Sequence, residues 1–211
     1  MSEIAPRWIL AIGSLAAKGV GCPQAVPVRL VNWRRGFYAR VSDHHATGLG
    51  AVPAPGASLN GVLLPIGVVG ETIKDIDERE AVSDLSRRDL NSVDLHPYSG
   101  FQVPRLRPGE TVAIYTPNNI LRPAPEYPVL RSYIDVCFDA FKAFGSEKGV
   151  GGKLFAEDFL RTTDPESWKP IADDRARPLY PRYVLLDPET PNYVDELLRR
   201  LGLPGRRNPP D

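Results

Sequence analysis

The chain has 211 residues, which is enough to bury a sizeable core within one domain. Lysine plus arginine and aspartate plus glutamate number 26 each, so the formal net charge is zero. This balance argues against a protein that binds nucleic acid or a membrane surface through bulk charge, and it leaves small polar metabolites open as ligands. The 22 prolines and 18 glycines predict a fold rich in loops and short strands, not a helical bundle.

The two cysteines, Cys22 and Cys137, belong to no C-x-x-C pair, and two thiols do not make a disulfide framework. We therefore expect two reduced thiols, with Cys137 in the core because it lies in an apolar run. The start of the chain, Met1 to Arg7, lacks the pattern of a signal peptide, and the apolar runs are too short to span a bilayer. These features predict a soluble, cytoplasmic protein.

The first predicted element is a buried strand in the apolar run from Trp8 to Ile12. Gly13, Ser14 and Leu15 follow at once. Glycine allows a tight turn whose backbone N–H groups are free to point at an anion. The same residues also make ordinary turns, so an anion site and a plain turn both stay open here.

A second strand region is expected from Ala25 to Phe37. Within it, Arg34 and Arg35 could clamp a carboxylate, and a solvent-exposed edge is the expected role. His44 and His45 are adjacent in a polar stretch without an acid or cysteine cluster, so we expect loop residues and no zinc site.

The Gly70 to Val82 segment ends on the residue of most interest, Glu80. Ile73 and Ile76 are three residues apart, which predicts a short helix with one inward face. Glu80 lies where this helical pattern gives out. A carboxylate there can point back into the fold and, once buried, carry protons near neutral pH. The alternative is one more charge on a solvated acidic face.

The other elements follow from periodicity and from turn residues. Connections are expected from Pro53 to Ser58 and around Pro123-Ala124-Pro125. Strand-like stretches are expected at Leu59 to Val69, at Ser83 to Val93 (with Leu85, Leu90 and Val93 inward) and at Thr111 to Tyr115. Helices are predicted at Val129 to Phe144 (after Pro128 and ending near Gly145), at Lys153 to Thr162 and at Tyr193 to Leu201, with an extended charged connection from Asp173 to Arg182 and a frayed tail from Pro204 to Asp211.

Three segments in this order carry a family resemblance. A buried strand ends in Ala11-Ile12-Gly13-Ser14-Leu15, a Gly61-Val62-Leu63 strand leads into Asp77-Glu78-Arg79-Glu80-Ala81-Val82, and a strand ends at Tyr115 before Thr116-Pro117-x-Asn119 and Pro123-Ala124-Pro125. Together they resemble the gamma-glutamylcyclotransferase-like family, including its glutathione-specific branch. The resemblance covers most of residues 8–182. It implies an α+β fold, a small mixed β-barrel with flanking helices, over residues 1–182, followed by a C-terminal helix and tail over residues 183–211.

The resemblance also implies roles for individual residues. The family's strand-end turn maps to Gly13, Ser14 and Leu15, whose backbone N–H groups would hold the substrate near its carboxylate or its reacting carbonyl. Ile12 stands where the family usually has tyrosine. The catalytic glutamate maps to Glu80, and Tyr115 would form a pocket wall.

The implied reaction is intramolecular. The α-amino group of a gamma-glutamyl compound attacks its own side-chain carbonyl, so that 5-oxoproline forms and an amine, amino acid or peptide leaves. It requires no metal and no organic cofactor. This hypothesis needs Glu80 to be buried in a cavity that faces the Gly13-Ser14 turn. The alternative is a non-catalytic binding or interaction module, which the Ile12 substitution favours. The leaving group and the oligomeric state stay open, and the loops at 38–58, 83–107 and 116–128 are expected to select the substrate.

Overall fold

The structure is a computed structural model that describes residues 7–90, 92–108 and 110–203. The strands are β1 (Trp8–Ala11), β2 (Val26–Val41), β3 (Ala46–Pro65), β4 (Leu85–Leu90), β5 (Leu95–Pro97), β6 (Val112–Pro117), β7 (Val129–Leu130) and β8 (Ile171–Ala172). The α-helices are α1 (Ile66–Val69), α2 (Ile73–Ala81), α3 (Arg131–Glu147), α4 (Gly152–Arg161) and α5 (Thr190–Arg200). The tail expected from Pro204 onwards lies outside the described residues.

Six strands form one curled sheet, a half-barrel in the order β4-β6-β1-β3-β2-β5. β1 pairs with β6 in parallel, and every other neighbouring pair in this sheet is antiparallel. The predicted α+β class, with a mixed sheet and flanking helices, is therefore confirmed. Alternate residues of β1 serve opposite faces, since Ile9 and Ala11 join the core beneath the helices whereas Leu10 joins a second apolar cluster on the other face.

β2 and β3 form one long hairpin, so the predicted connection from Pro53 to Ser58 and the predicted loop over residues 38–58 are wrong. Pro53 pairs with Trp33, and the register shifts between Val31 and Trp33. The residues of β3 between the two shifted pairings bulge outwards, where Gly56 adopts a φ of 78° and its amide donates to the Asn32 side chain at 3.2 Å. Proline and glycine are tolerated in a strand at such a bulge.

The predicted helix around residues 129–144 is confirmed with shifted ends. Its apolar face is fully buried and comprises Ile134, Cys137, Phe138, Phe141 and Phe144. α3 begins only at Arg131, because Val129 and Leu130 first pair with β8. It then continues past Gly145. A Cβ at Gly145 would lie 2.8 Å from the Phe155 Cβ, so this glycine permits the close approach of α4 and does not end the helix.

Three smaller expectations are corrected. The strand expected to reach Val69 ends at Pro65, and the α1 turn follows. Val93 is 77% exposed, and Leu95 of β5 takes the inward position. Arg35, expected at a solvated edge, is fully buried, although Arg34 beside it is exposed.

Arg35 is buried because the C-terminal end of α4 covers its face of β2. Its guanidinium donates to the Phe159 carbonyl at 2.6 Å and to the Asn60 carbonyl at 2.8 Å. The hydroxyls of Thr162 and Thr163 accept two further hydrogen bonds at 2.9 Å each. The carbonyl end of a helix favours a positive charge, which accounts for a buried cation bonded to neutral oxygens.

Candidate active site

The helix that carries Glu80 has a well-defined start. Thr72 and Asp75 form a capping box, in which the Thr72 amide donates to the Asp75 carboxylate at 2.9 Å and the Asp75 amide donates to the Thr72 hydroxyl at 3.2 Å. Ile76 is fully buried on the inward face, as predicted. Glu80 occupies the last turn, and its side chain is 25% exposed, so it is partly buried and not sealed from water.

Asp77 fixes this helix to the sheet. Its carboxylate accepts from the Tyr115 hydroxyl at 2.7 Å and from the Arg87 guanidinium at 2.8 Å. Burial and the bond to Asp77 together raise the pKa of Tyr115, so the phenol stays protonated as a donor. Asp77 precedes Glu80 by three residues, which places both side chains on one face of α2. The orientation of Glu80 is therefore coupled to two sheet residues.

The turn after β1 leads into a 3-10 helix over Ser14–Gly19. A Cβ at Gly13 would lie 3.0 Å from Leu49 Cδ1 and 3.1 Å from the Tyr133 hydroxyl, so a larger residue would crowd both side chains. The Ser14 hydroxyl lies 2.7 Å from the Tyr180 hydroxyl. The Ser14 amide is hydrogen-bonded to the Cys137 thiol, and burial raises the pKa of that thiol to about 12.

Two adjoining cavities bring the sequence-predicted site residues together. The inner cavity, of about 110 Å³, is lined by the Gly13-Ser14-Leu15 turn, by Tyr115 and by Glu80. The outer cavity, of about 770 Å³, opens beside it. The residues that line both cavities are Leu49, Arg79, Glu80, Leu85, Tyr133 and Arg182. Glu80 thus lines both cavities and shares the lining of the inner one with the Gly13-Ser14 turn.

The carboxylate of Glu80 is ion-paired on one oxygen only. Arg79 donates to Glu80 Oε1 from Nε at 3.1 Å and from a terminal nitrogen at 2.9 Å, and it also pairs with Glu71. Burial lowers the pKa of Arg79, but the two carboxylates outweigh burial and raise it. Within the described part of the chain, Glu80 Oε2 accepts no hydrogen bond. This oxygen is available to a ligand.

A segment predicted to be an extended charged connection also borders the site. Tyr180, Pro181 and Arg182 line the outer cavity. We call residues 173–182 the strap. No periodicity marks these residues, and the only local signal is a Tyr and an Arg on either side of Pro181. His44 lies in the turn between β2 and β3, as predicted for a loop residue, and it also lines the same cavity.

The described residues contain no group of three or more His, Cys, Asp or Glu side chains arranged to hold a metal ion. Nor does any helix in that part of the chain have the length and apolar character needed to cross a membrane.

No family model and no curated protein matches the sequence. Similar solved structures include an uncharacterized human protein (15% identity, TM-score 0.48, covering 79% of this chain and 93% of that chain). A gamma-glutamyl cyclotransferase is 16% identical with a TM-score of 0.48, and the match covers 78% of this chain and 91% of that chain. A glutathione-specific gamma-glutamyl cyclotransferase from yeast is 13% identical with a TM-score of 0.38, and the match covers 93% of this chain and 99% of that chain. Two of the three bear the name of the family that the sequence motifs resemble. At these identities and TM-scores they assign neither an activity nor a substrate to this chain.

Proposed function

We propose that this chain is a gamma-glutamylcyclotransferase-type enzyme that cyclises a gamma-glutamyl group to 5-oxoproline and releases an amine, an amino acid or a peptide. One observation carries the proposal: Glu80 and the Gly13-Ser14-Leu15 turn line the same small cavity. A proton acceptor and a set of backbone donors are the two elements that this lactam closure needs. The cytoplasmic location expected from the sequence stays a prediction.

In the proposed mechanism, Glu80 takes the proton of the substrate α-ammonium through Oε2. Arg79 engages Oε1 only, so the two interactions do not compete for one oxygen. The freed amine attacks the side-chain carbonyl of the same molecule. Because both reacting groups belong to one substrate, holding it in a folded conformation removes much of the entropic barrier. Glu80 then returns this proton to the departing nitrogen as the oxyanion collapses and the C–N bond breaks. The second proton that the attacking nitrogen must lose follows through Glu80, so the leaving group departs as an ammonium and the lactam nitrogen keeps one hydrogen.

The developing oxyanion is stabilised by the amides of the turn. The Ser14 amide is engaged with the Cys137 sulfur, so Leu15, one residue further along the start of the 3-10 helix, is the better-placed donor. Tyr115 acts differently from a simple pocket wall. Its hydroxyl is committed to Asp77, and through Asp77 it positions the helix that bears Glu80.

The test is 5-oxoproline release from a panel of gamma-glutamyl compounds, glutathione included, by the wild type and by Glu80→Gln. Glu78→Gln is the matched control, since Glu78 is on the same helix but its side chain is 68% exposed and pairs with Lys74. We expect release by the wild type and by Glu78→Gln, and a loss of about a hundredfold or more in Glu80→Gln. Release that survives Glu80→Gln would remove Glu80 from the mechanism and make Glu71, which lines the outer cavity, the next carboxylate to test.

A non-catalytic binding module is the second candidate, and one observation favours it. Two groups at the site are already engaged within the protein, since one oxygen of Glu80 is bonded to Arg79 and the Ser14 hydroxyl lies 2.7 Å from the Tyr180 hydroxyl. This candidate would be selected if the folded protein released no 5-oxoproline from any panel member and calorimetry nevertheless detected binding of a gamma-glutamyl compound.

A further inference from the structure

The strap is held firmly in place over the outer cavity. Arg175 forms an ion pair with Asp135, with two nitrogen–oxygen distances of 2.6 Å, and a second one with Asp195 of α5 at 2.9 Å. Asp174 accepts from the Ser132 amide at 2.9 Å. These contacts tie the strap to the start of α3 and to α5. The residues that follow, including Arg182, are thereby carried to the cavity.

Tyr180 completes the placement of Arg182. The Tyr180 ring packs on Tyr133, with 4.9 Å between ring centroids, and the Arg182 guanidinium lies 5.5 Å from the Tyr180 centroid. The charge of Arg182 also acts on Tyr133 and Cys137. Burial raises the pKa values of both groups, and the positive charge of Arg182 opposes this rise. Arg182 is thus directed at the junction of the two cavities.

The three cations of the outer cavity differ in their partners. Arg79 is engaged by Glu71 and Glu80. Arg182 and Lys18 form no ion pair with any carboxylate that the structure describes. An arginine of this kind, at the edge of a cavity and beside an aromatic ring, suits a carboxylate, which it can bind through two parallel hydrogen bonds.

We propose that Arg182 is a specificity-determining residue that binds a carboxylate on the departing half of the substrate, so that the chain prefers gamma-glutamyl amino acids and peptides over gamma-glutamylamines. This inference rests on the proposed function. Arg182 lines both cavities at their junction. It therefore lies where a substrate whose reacting half occupies the inner cavity of about 110 Å³, next to Glu80, extends its departing half into the outer cavity of about 770 Å³. Lys18 lines only the outer cavity and supports the same anion.

The experiment compares two substrates that differ by one carboxylate, gamma-glutamylglycine and gamma-glutamylmethylamide. The quantity measured is the ratio of their kcat/KM values for 5-oxoproline release. The variants are Arg182→Gln, Arg182→Lys and the control Arg177→Gln, which removes an exposed arginine of the same strap that lines neither cavity.

We expect the wild type to prefer gamma-glutamylglycine, and Arg182→Gln to lower the ratio about tenfold. Arg182→Lys should keep part of the preference because it keeps the charge, and Arg177→Gln should keep all of it. A wild-type ratio near one, or a ratio that Arg182→Gln leaves unchanged, would overturn this inference alone. An equal fall for both substrates would assign Arg182 to the shared α-carboxylate and also overturn it. No release from either substrate, with release from another member of the panel, would overturn this inference alone, whereas no release from any member of the panel would overturn the proposed function and this inference with it.

Discussion

The Tyr115 hydroxyl on β6 donates a hydrogen bond to the Asp77 carboxylate on α2, with 2.7 Å between the two oxygens. This bond joins the strand next to β1 to the helix that presents Glu80, so it links two of the elements that line the inner cavity. The Gly13-Ser14-Leu15 turn follows β1, and the helix of Glu80 is bonded to Tyr115 on β6. Both parts of the proposed catalytic machinery are therefore attached to neighbouring strands of one sheet.

Replacing Tyr115 with Phe should lower 5-oxoproline release about tenfold or more while costing only about 1 kcal/mol of the free energy of unfolding. The loss of activity arises because Asp77 keeps its bond to Arg87 but α2 can shift. Steady-state kinetics and urea unfolding measure the two effects. Tyr98→Phe is the control, since it removes a hydroxyl bonded to Asp158 at 3.0 Å, away from both cavities. Equal losses of activity in the two variants would contradict the positioning role.

Replacing Arg35 with Met should destabilise the protein by about 3 kcal/mol or more, because the buried carbonyls of Asn60 and Phe159 would lose their donor. Burial lowers the pKa of Arg35 to about 9, so it is still charged at neutral pH. Arg34→Met, at the exposed neighbour, should change stability by less than about 0.5 kcal/mol. Urea unfolding curves of the two variants, recorded side by side, decide the matter. A similar loss of unfolding free energy in both variants would show that the buried hydrogen bonds of Arg35 contribute nothing to stability.

Glu157 should contribute to stability in a pH-dependent way. Its carboxylate accepts from Tyr193 at 2.7 Å and from Arg200 at 3.1 Å. Burial acts to raise its pKa, but these donors outweigh burial and lower it. Because the pKa of Glu157 is lower in the folded state than in the unfolded state, its contribution to stability is present above the unfolded-state pKa. The contribution is lost as the pH falls through the folded-state pKa. Glu157→Gln should thus cost about 1 kcal/mol at neutral pH and much less near pH 3.

Unfolding by urea at several pH values measures this difference, with the exposed Glu78→Gln as the reference. A cost of Glu157→Gln that stayed constant from neutral to acid pH would rule out a lowered pKa for this carboxylate.

Cys137 should resist alkylation in the folded protein. Its side chain is fully buried and its pKa is raised to about 12, so little thiolate is present near pH 8. Iodoacetamide followed by peptide mass spectrometry should detect modification of Cys137 only after unfolding in urea. Labelling of Cys137 in the native state at the rate of a free thiol would contradict its burial and show that the structure around Cys137 and Ser14 opens readily.

Strong periodicity made part of this structure predictable. The apolar run of β1 predicts a strand because β1 is buried on both faces, and the Ile134-Cys137-Phe138-Phe141 face predicts α3 because that helix buries one regular stripe. The prediction at Gly145 is wrong because a glycine that ends a helix and a glycine that admits a neighbouring helix look alike in a sequence. The prediction at Arg35 is wrong for a related reason: its burial depends on an acceptor that α4 supplies from 124 residues away.

The candidate site shows the same division. Gly13, Ser14, Leu15, Glu80 and Tyr115 were named from motif order, and the structure places all five on one cavity. Their chemical roles remain predictions. Tyr180 and Arg182 could not be found in this way, because the strap has no helical or strand period and its position depends on ion pairs made by Arg175.

The contact between Ser14 and Tyr180 joins residues 166 positions apart in the chain. One partner follows β1 and the other lies in the strap, so the lining of the two cavities draws on residues from near both ends of the described chain. A nascent chain from which the strap has not yet been made therefore lacks part of this lining, and a ligand that needs Arg182 can bind only after residues 173–182 have been added.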